Sequence, residues 1–72
     1  MSVGAEIKRR RKDKGITQEE LARLVCVTQG AIMQYERGYK LPSLSMLYRI
    51  ADALGTTPAQ ILEDVTNPEA RT

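Results

Sequence analysis

Residues 28–38 read Thr-Gln-Gly-Ala-Ile-Met-Gln-Tyr-Glu-Arg-Gly, and several of their side chains can make hydrogen bonds without carrying charge. Advancing about 100° per residue from Gln29, a helix places Met33 near ~40°, Arg37 near ~80°, Gly30 near ~100° and Gln34 near ~140°. Those five positions make one contiguous face. Ile32, Tyr35, Ala31 and Glu36 fall on the opposite side, between roughly 200° and 340°. The first face is polar, almost uncharged, and flat at Gly30, where glycine costs up to ~1 kcal/mol against alanine. A DNA major groove suits it. Glutamine bonds bidentately to adenine N6 and N7, methionine or a small residue sits beside a thymine methyl, and arginine takes guanine or a phosphate. The other reading is a wetted surface that touches nothing.

The elements that must carry this face follow from helix punctuation. A first helix is expected from Val3 to Lys14, closed by Gly15, which adopts the left-handed conformation without a Cβ penalty. Thr17-Gln18-Glu19-Glu20 is a capping box opening a second helix that buries Leu21, Ala22, Leu24 and Val25 and stops near Cys26. Thr28 caps the third helix, which ends at Gly38. Tyr39 to Pro42 form a loop. Ser43 caps a fourth helix whose Leu44, Leu47, Ile50, Ala51 and Leu54 recur at helical spacing. Thr57-Pro58-Ala59-Gln60 reads as a second capping box before a short fifth helix through Leu62, with Ile61 and Leu62 in the core. No segment alternates with period two, so the expected class is all-α with one domain over residues 1–65 and a frayed tail at 66–72.

Composition narrows the function. The chain has 72 residues, no His, Trp or Phe and a single cysteine, Cys26. The core must therefore be aliphatic, and neither a disulfide framework nor a cysteine-rich zinc site is available. No nucleophile has a neighbouring base and no glycine-rich phosphate loop is present, which argues against an enzyme and against cofactors, metals or a small-molecule ligand. Without an apolar segment of membrane-spanning length or a signal core, the expectation is a cytoplasmic protein with no membrane partner. Residues 1–43 carry nine Lys/Arg against five Asp/Glu, and residues 44–72 carry two against four. Most of the basic charge comes from Lys8, Arg9, Arg10, Arg11, Lys12 and Lys14, and either a polyanion partner or a solvated helix face explains it.

Two short helices joined by the turn Val25-Cys26-Val27 form a helix-turn-helix arrangement. The string ITQEELARLVCVTQGAIMQYERG, followed by LPSLSMLYRIADALG and TPAQIL, resembles the phage repressor and Cro family of regulators, the xenobiotic-response-element family, over roughly residues 5–64. The resemblance implies a five-helix repressor-like domain and a bacterial or phage transcriptional regulator that binds double-stranded operator DNA as a homodimer. It assigns base reading to Gln29, Gly30, Met33 and Gln34. Phosphate contacts fall to Gln18, Thr28, Arg37, Tyr39, Lys40 and Ser43, with Ser43 equally explicable as a cap alone. Arg11 and Glu36 match a buried ion pair joining the first and third helices. Cys26 departs from the pattern, which usually has glycine there, so a strained turn is expected, with a thiol sensor as the functional alternative. In a chain this short the two-fold contact must come from the same helices, and Met46, Tyr48 and Val65 are its candidates. The fold also serves antitoxins and bridging factors, so a protein-interaction module is the rival reading.

Overall fold

The computed structural model describes residues 2–67 and 69. It contains α1 (Val3–Lys14), α2 (Gln18–Val25), α3 (Gln29–Glu36), α4 (Leu44–Ala53) and α5 (Pro58–Thr66). Each begins with a hydroxyl cap: Ser2, Thr17, Thr28, Ser43 and Thr57 accept the amide protons of Ala5, Glu20, Ala31, Met46 and Gln60. Such a cap supplies one of the acceptors that the first turn lacks. At Thr17 the box is complete, because Glu20 Oε1 accepts the Thr17 amide proton at 3.0 Å. That backbone bond, followed by the one to the Thr17 side chain, holds the Glu20 carboxyl below its ordinary range.

One aliphatic residue from each helix meets at the centre: Ile7, Leu21, Ile32, Ile50 and Ile61 have no exposed surface. Each such burial is worth about 1.5–3 kcal/mol relative to exposure, so five short helices that would be marginal alone are held by packing. α2 lies against α3 and α4, α1 lies against α3 and α5, and α4 touches α5. Gly4 lets α1 approach α3. A Cβ at this position would overlap the carbonyl oxygen of Tyr35.

Several expectations are corrected. Leu24, Leu44 and Leu62 are 59%, 66% and 43% exposed. Each lies at a helical spacing shared with buried neighbours but at the margin of the buried stripe, where a bundle this small has nothing to cover it. α5 continues past Leu62 to Thr66, whose hydroxyl donates to the Leu62 carbonyl oxygen. Its capping box is half formed, because the Gln60 amide reaches forward to Asp64 at 3.0 Å. The rest of the expected frayed tail, at 68 and 70–72, lies outside the described residues.

The arginines of the basic run in α1 are committed to carboxylates of the protein, while Lys8, Lys12 and Lys14 are exposed. Arg9 pairs with Glu6 and Asp13, and Arg10 pairs with Glu6 and Asp64. Glu6 and Asp64 are almost wholly buried. Two buried carboxylates need these partners, since an unpaired buried charge is expensive. The hydrogen bond that Arg9 donates to the Glu6 carboxylate, working against partial burial, raises the Arg9 pKa above its already high ordinary value. The tie of α1 to α5 was half legible: Glu6 stands three and four residues before Arg9 and Arg10, a helical pairing distance. Nothing in the sequence marked Asp64 as the distant partner.

Candidate nucleic-acid interface

The face of α3 opposite Ile32 and Glu36 is the one predicted from the helical wheel. Gln29, Gly30 and Gln34 are exposed and Met33 is half-buried, while Ile32 and Glu36 are buried. Among the described residues, neither the Gln29 nor the Gln34 side chain has a hydrogen-bond partner within the protein. Both amides keep donors and an acceptor free for a ligand. At Gly30 a Cβ would come near only Thr28 Oγ1, at 3.9 Å, so packing within the protein does not require the glycine. The exposed surface is simply lower there.

The rim of this face is polar or cationic. Arg37, Tyr39, Lys40 and Ser43 are exposed, with Tyr39 at 73%. Tyr39 and Lys40 are fixed through their backbones, whose amide protons go to the Gln34 carbonyl oxygen at 2.9 and 3.3 Å. Thr28 Oγ1 and Ser43 Oγ each accept a cap bond at 3.2 Å. A hydroxyl that accepts still has its own proton to donate, and Ser43 Oγ also shares a hydrogen bond with Ser45 Oγ at 3.2 Å. Gln18, the first residue of α2, is half-buried and its Nε2 donates to Glu36 Oε1 at 3.1 Å.

The expected ion pair is present and two-pronged. Arg11 Nε lies 2.6 Å from Glu36 Oε2, and Arg11 Nη2 lies 3.1 Å from Oε1. The two side chains are 9% and 1% exposed, and Arg11 Nη1 also donates to the Ile16 carbonyl oxygen at 2.8 Å. Arg11 is therefore structural. Its fork matches the carboxylate and fixes α3 against α1.

Between α2 and α3 the chain turns at Cys26, whose φ of 61° and ψ of 43° are left-handed. It is the only non-glycine residue with positive φ among those described. The conformation lets the Cys26 amide proton reach the Ala22 and Arg23 carbonyl oxygens and starts the path to Thr28. A residue with a Cβ pays for it by about 1–2 kcal/mol.

Residues 7–61 match the HTH_3 family of helix-turn-helix domains. The chain belongs to this helix-turn-helix family. Among curated relatives, an uncharacterized HTH-type transcriptional regulator of Methanothermobacter thermautotrophicus is 51% identical over 49 residues, covering 68% of this chain and 71% of the relative. The clp gene regulator ClgR of Corynebacterium glutamicum superposes with a TM-score of 0.87 at 35% identity, covering 94% of this chain and 72% of that one. The P22 c2 repressor, solved in complex with a synthetic operator, superposes with a TM-score of 0.81 at 33% identity, covering 85% of this chain and 92% of that one.

The fold is thus the five-helix repressor-like domain that the sequence implied, and the protein is a DNA-binding helix-turn-helix transcriptional regulator, not an enzyme. α2 and α3 are its helix-turn-helix pair. No helix among the described residues is long and apolar enough to cross a membrane.

Proposed function

We propose that the helix-turn-helix domain occupies an operator as a homodimer, with α3 in the major groove. The observation that carries this reading is the exposed, unbonded pair Gln29 and Gln34 on one face of α3, with nothing bulky between them at Gly30. Gln29, Gly30, Met33 and Gln34 are the base readers in this proposal. Gln18, Thr28, Arg37, Tyr39, Lys40 and Ser43 take the phosphate backbone on either side. Direct base contacts specify sequence and phosphate contacts set register, so the two groups have separable effects.

Dimerisation rests on α4 and α5. Tyr48 is 60% exposed, and Met46 and Val65 are half-buried. These, with the partly exposed Leu62, offer apolar surface for a two-fold contact. A symmetric pair would present its α3 helices about 34 Å apart, one turn of duplex.

Selection from a random duplex pool at physiological salt, with the mass of each bound complex recorded, tests the reading. An enriched inverted repeat bound by two chains supports it. Absence of any enriched sequence, with folded protein, overturns it and favours an antitoxin-like or bridging module whose partner is a protein.

A further inference from the structure

Glu36 holds three donors from two other helices. Arg11 approaches from α1 through Nε and Nη2, and Gln18 approaches from α2 through Nε2. The carboxylate oxygen Oε1 is shared by Arg11 Nη2 and Gln18 Nε2, each at 3.1 Å. Arg11 in turn grips the Ile16 carbonyl oxygen between α1 and α2. This puts one buried carboxylate at the junction of all three helices.

The arrangement fixes more than helix packing. A carboxylate only accepts, so the nitrogen end of the Gln18 amide must face Glu36 and the oxygen end must turn away. One N–H of that amide is used by Glu36. The other remains for an outside acceptor, and its direction is set by a side chain that is itself 1% exposed and doubly held. A glutamine side chain otherwise loses rotamer freedom when ordered, and a donor ordered in advance binds without that loss.

Resting on the operator reading above, we infer that Glu36 is a positioning residue for the DNA backbone: it orients the Gln18 amide so that its free N–H meets a phosphate. Glu36 touches no DNA in this scheme. It couples the phosphate contact of α2 to the placement of α3, because the same carboxylate fixes both.

The test is a double-mutant cycle on duplex binding. Four chains are compared: unaltered, Gln18→Ala, Arg11→Met with Glu36→Leu, and the triple variant. Removing both ion-pair partners together avoids stranding a charge. In the unaltered background Gln18→Ala weakens binding about tenfold, the loss of one hydrogen bond to a charged group. In the Met/Leu background it weakens binding by less than about twofold, since coupled residues are not additive. The slope of affinity against salt stays the same throughout, because a neutral amide displaces no counterion.

Equal losses in both backgrounds, with both proteins folded, overturn the inference while leaving DNA binding intact. If a folded unaltered chain binds no duplex, the operator reading fails first. Should the Met/Leu variant not fold, the unaltered chain decides by NMR of the Gln18 side-chain amide. One proton protected from exchange in free protein supports the inference, and a freely rotating amide overturns it.

Discussion

Arg11 and Glu36, 25 residues apart in sequence, close on each other with Nε 2.6 Å from Oε2 in the interior of the domain. The pair fixes the angle of α3 against α1 and leaves the opposite face of α3 outward. Orientation of the exposed amide face of α3 is thus decided by a contact on its hidden side.

Replacing one partner strands the other. Arg11→Ala or Glu36→Ala should each destabilise the domain by about 3–5 kcal/mol, whereas Arg11→Met with Glu36→Leu should cost markedly less, because no unpaired charge is left. Urea unfolding of the three variants checks this. A double variant as unstable as either single one would show that the pair's hydrogen bonds, more than its charges, carry the effect.

Gly4 predicts a second large effect from a small change. Gly4→Ala places a methyl group against the backbone oxygen of Tyr35, which cannot rotate away as a side chain would. The expected destabilisation is about 3 kcal/mol, at the upper end for overpacking, and thermal melting would register it. A change near zero would mean that α1 can slide along α3 without penalty.

The fates of these residues show what a sequence makes legible. Caps and stops are local chemistry, so Thr17, Thr28, Ser43 and Gly15 mark their helix ends directly. The helical wheel left Glu36 at the margin between the two faces of α3, and the family resemblance supplied both its burial and its partner. Gly4 and Asp64 gave no local signal, because a close helix approach and a buried counter-charge exist only after α1 meets α3 and α5. Leu24, Leu44 and Leu62 misled for a related reason: periodicity finds the stripe but not how far the neighbouring helices extend over it. The free amides of Gln29 and Gln34 were readable because an uncharged exposed face is itself unusual.

Cys26 invites a stabilising substitution. Its backbone is left-handed with φ of 61°, so Cys26→Gly should relieve strain and raise stability by about 0.5–1 kcal/mol, after allowing for glycine's greater freedom in the unfolded chain. Chemical denaturation is sufficient to measure it. A loss of stability would indicate that the Cys26 side chain makes up for its backbone cost.

Acid sensitivity should trace in part to Glu20. Bonds from Thr17 lower its folded pKa below the unfolded value. Linkage then makes this contribution fully present above the unfolded carboxylate pKa and progressively lost as pH falls through the depressed folded pKa. Glu20→Gln should therefore flatten the fall in stability on the acid side while leaving a neutral capping partner in place. Melting temperatures of the two chains between neutral pH and the lower carboxylate range should converge as pH falls; parallel curves would assign the acid loss elsewhere.

Gln29 and Lys40 divide specificity from anchoring. In the proposed complex Gln29→Ala removes a bidentate base contact, so it should cost about 1–3 kcal/mol on the selected operator and relax preference at one base pair per half-site. On unrelated duplex the same change should matter little. Lys40 stands exposed beside the face, with its backbone fixed to Gln34, and Lys40→Ala should weaken every duplex similarly while reducing the salt slope by about 1 per chain. Titrations of both variants on operator and non-operator DNA at several salt concentrations separate the two behaviours. If both substitutions act equally on all sequences, the amide face of α3 does not read bases, and affinity without sequence preference is what the domain provides.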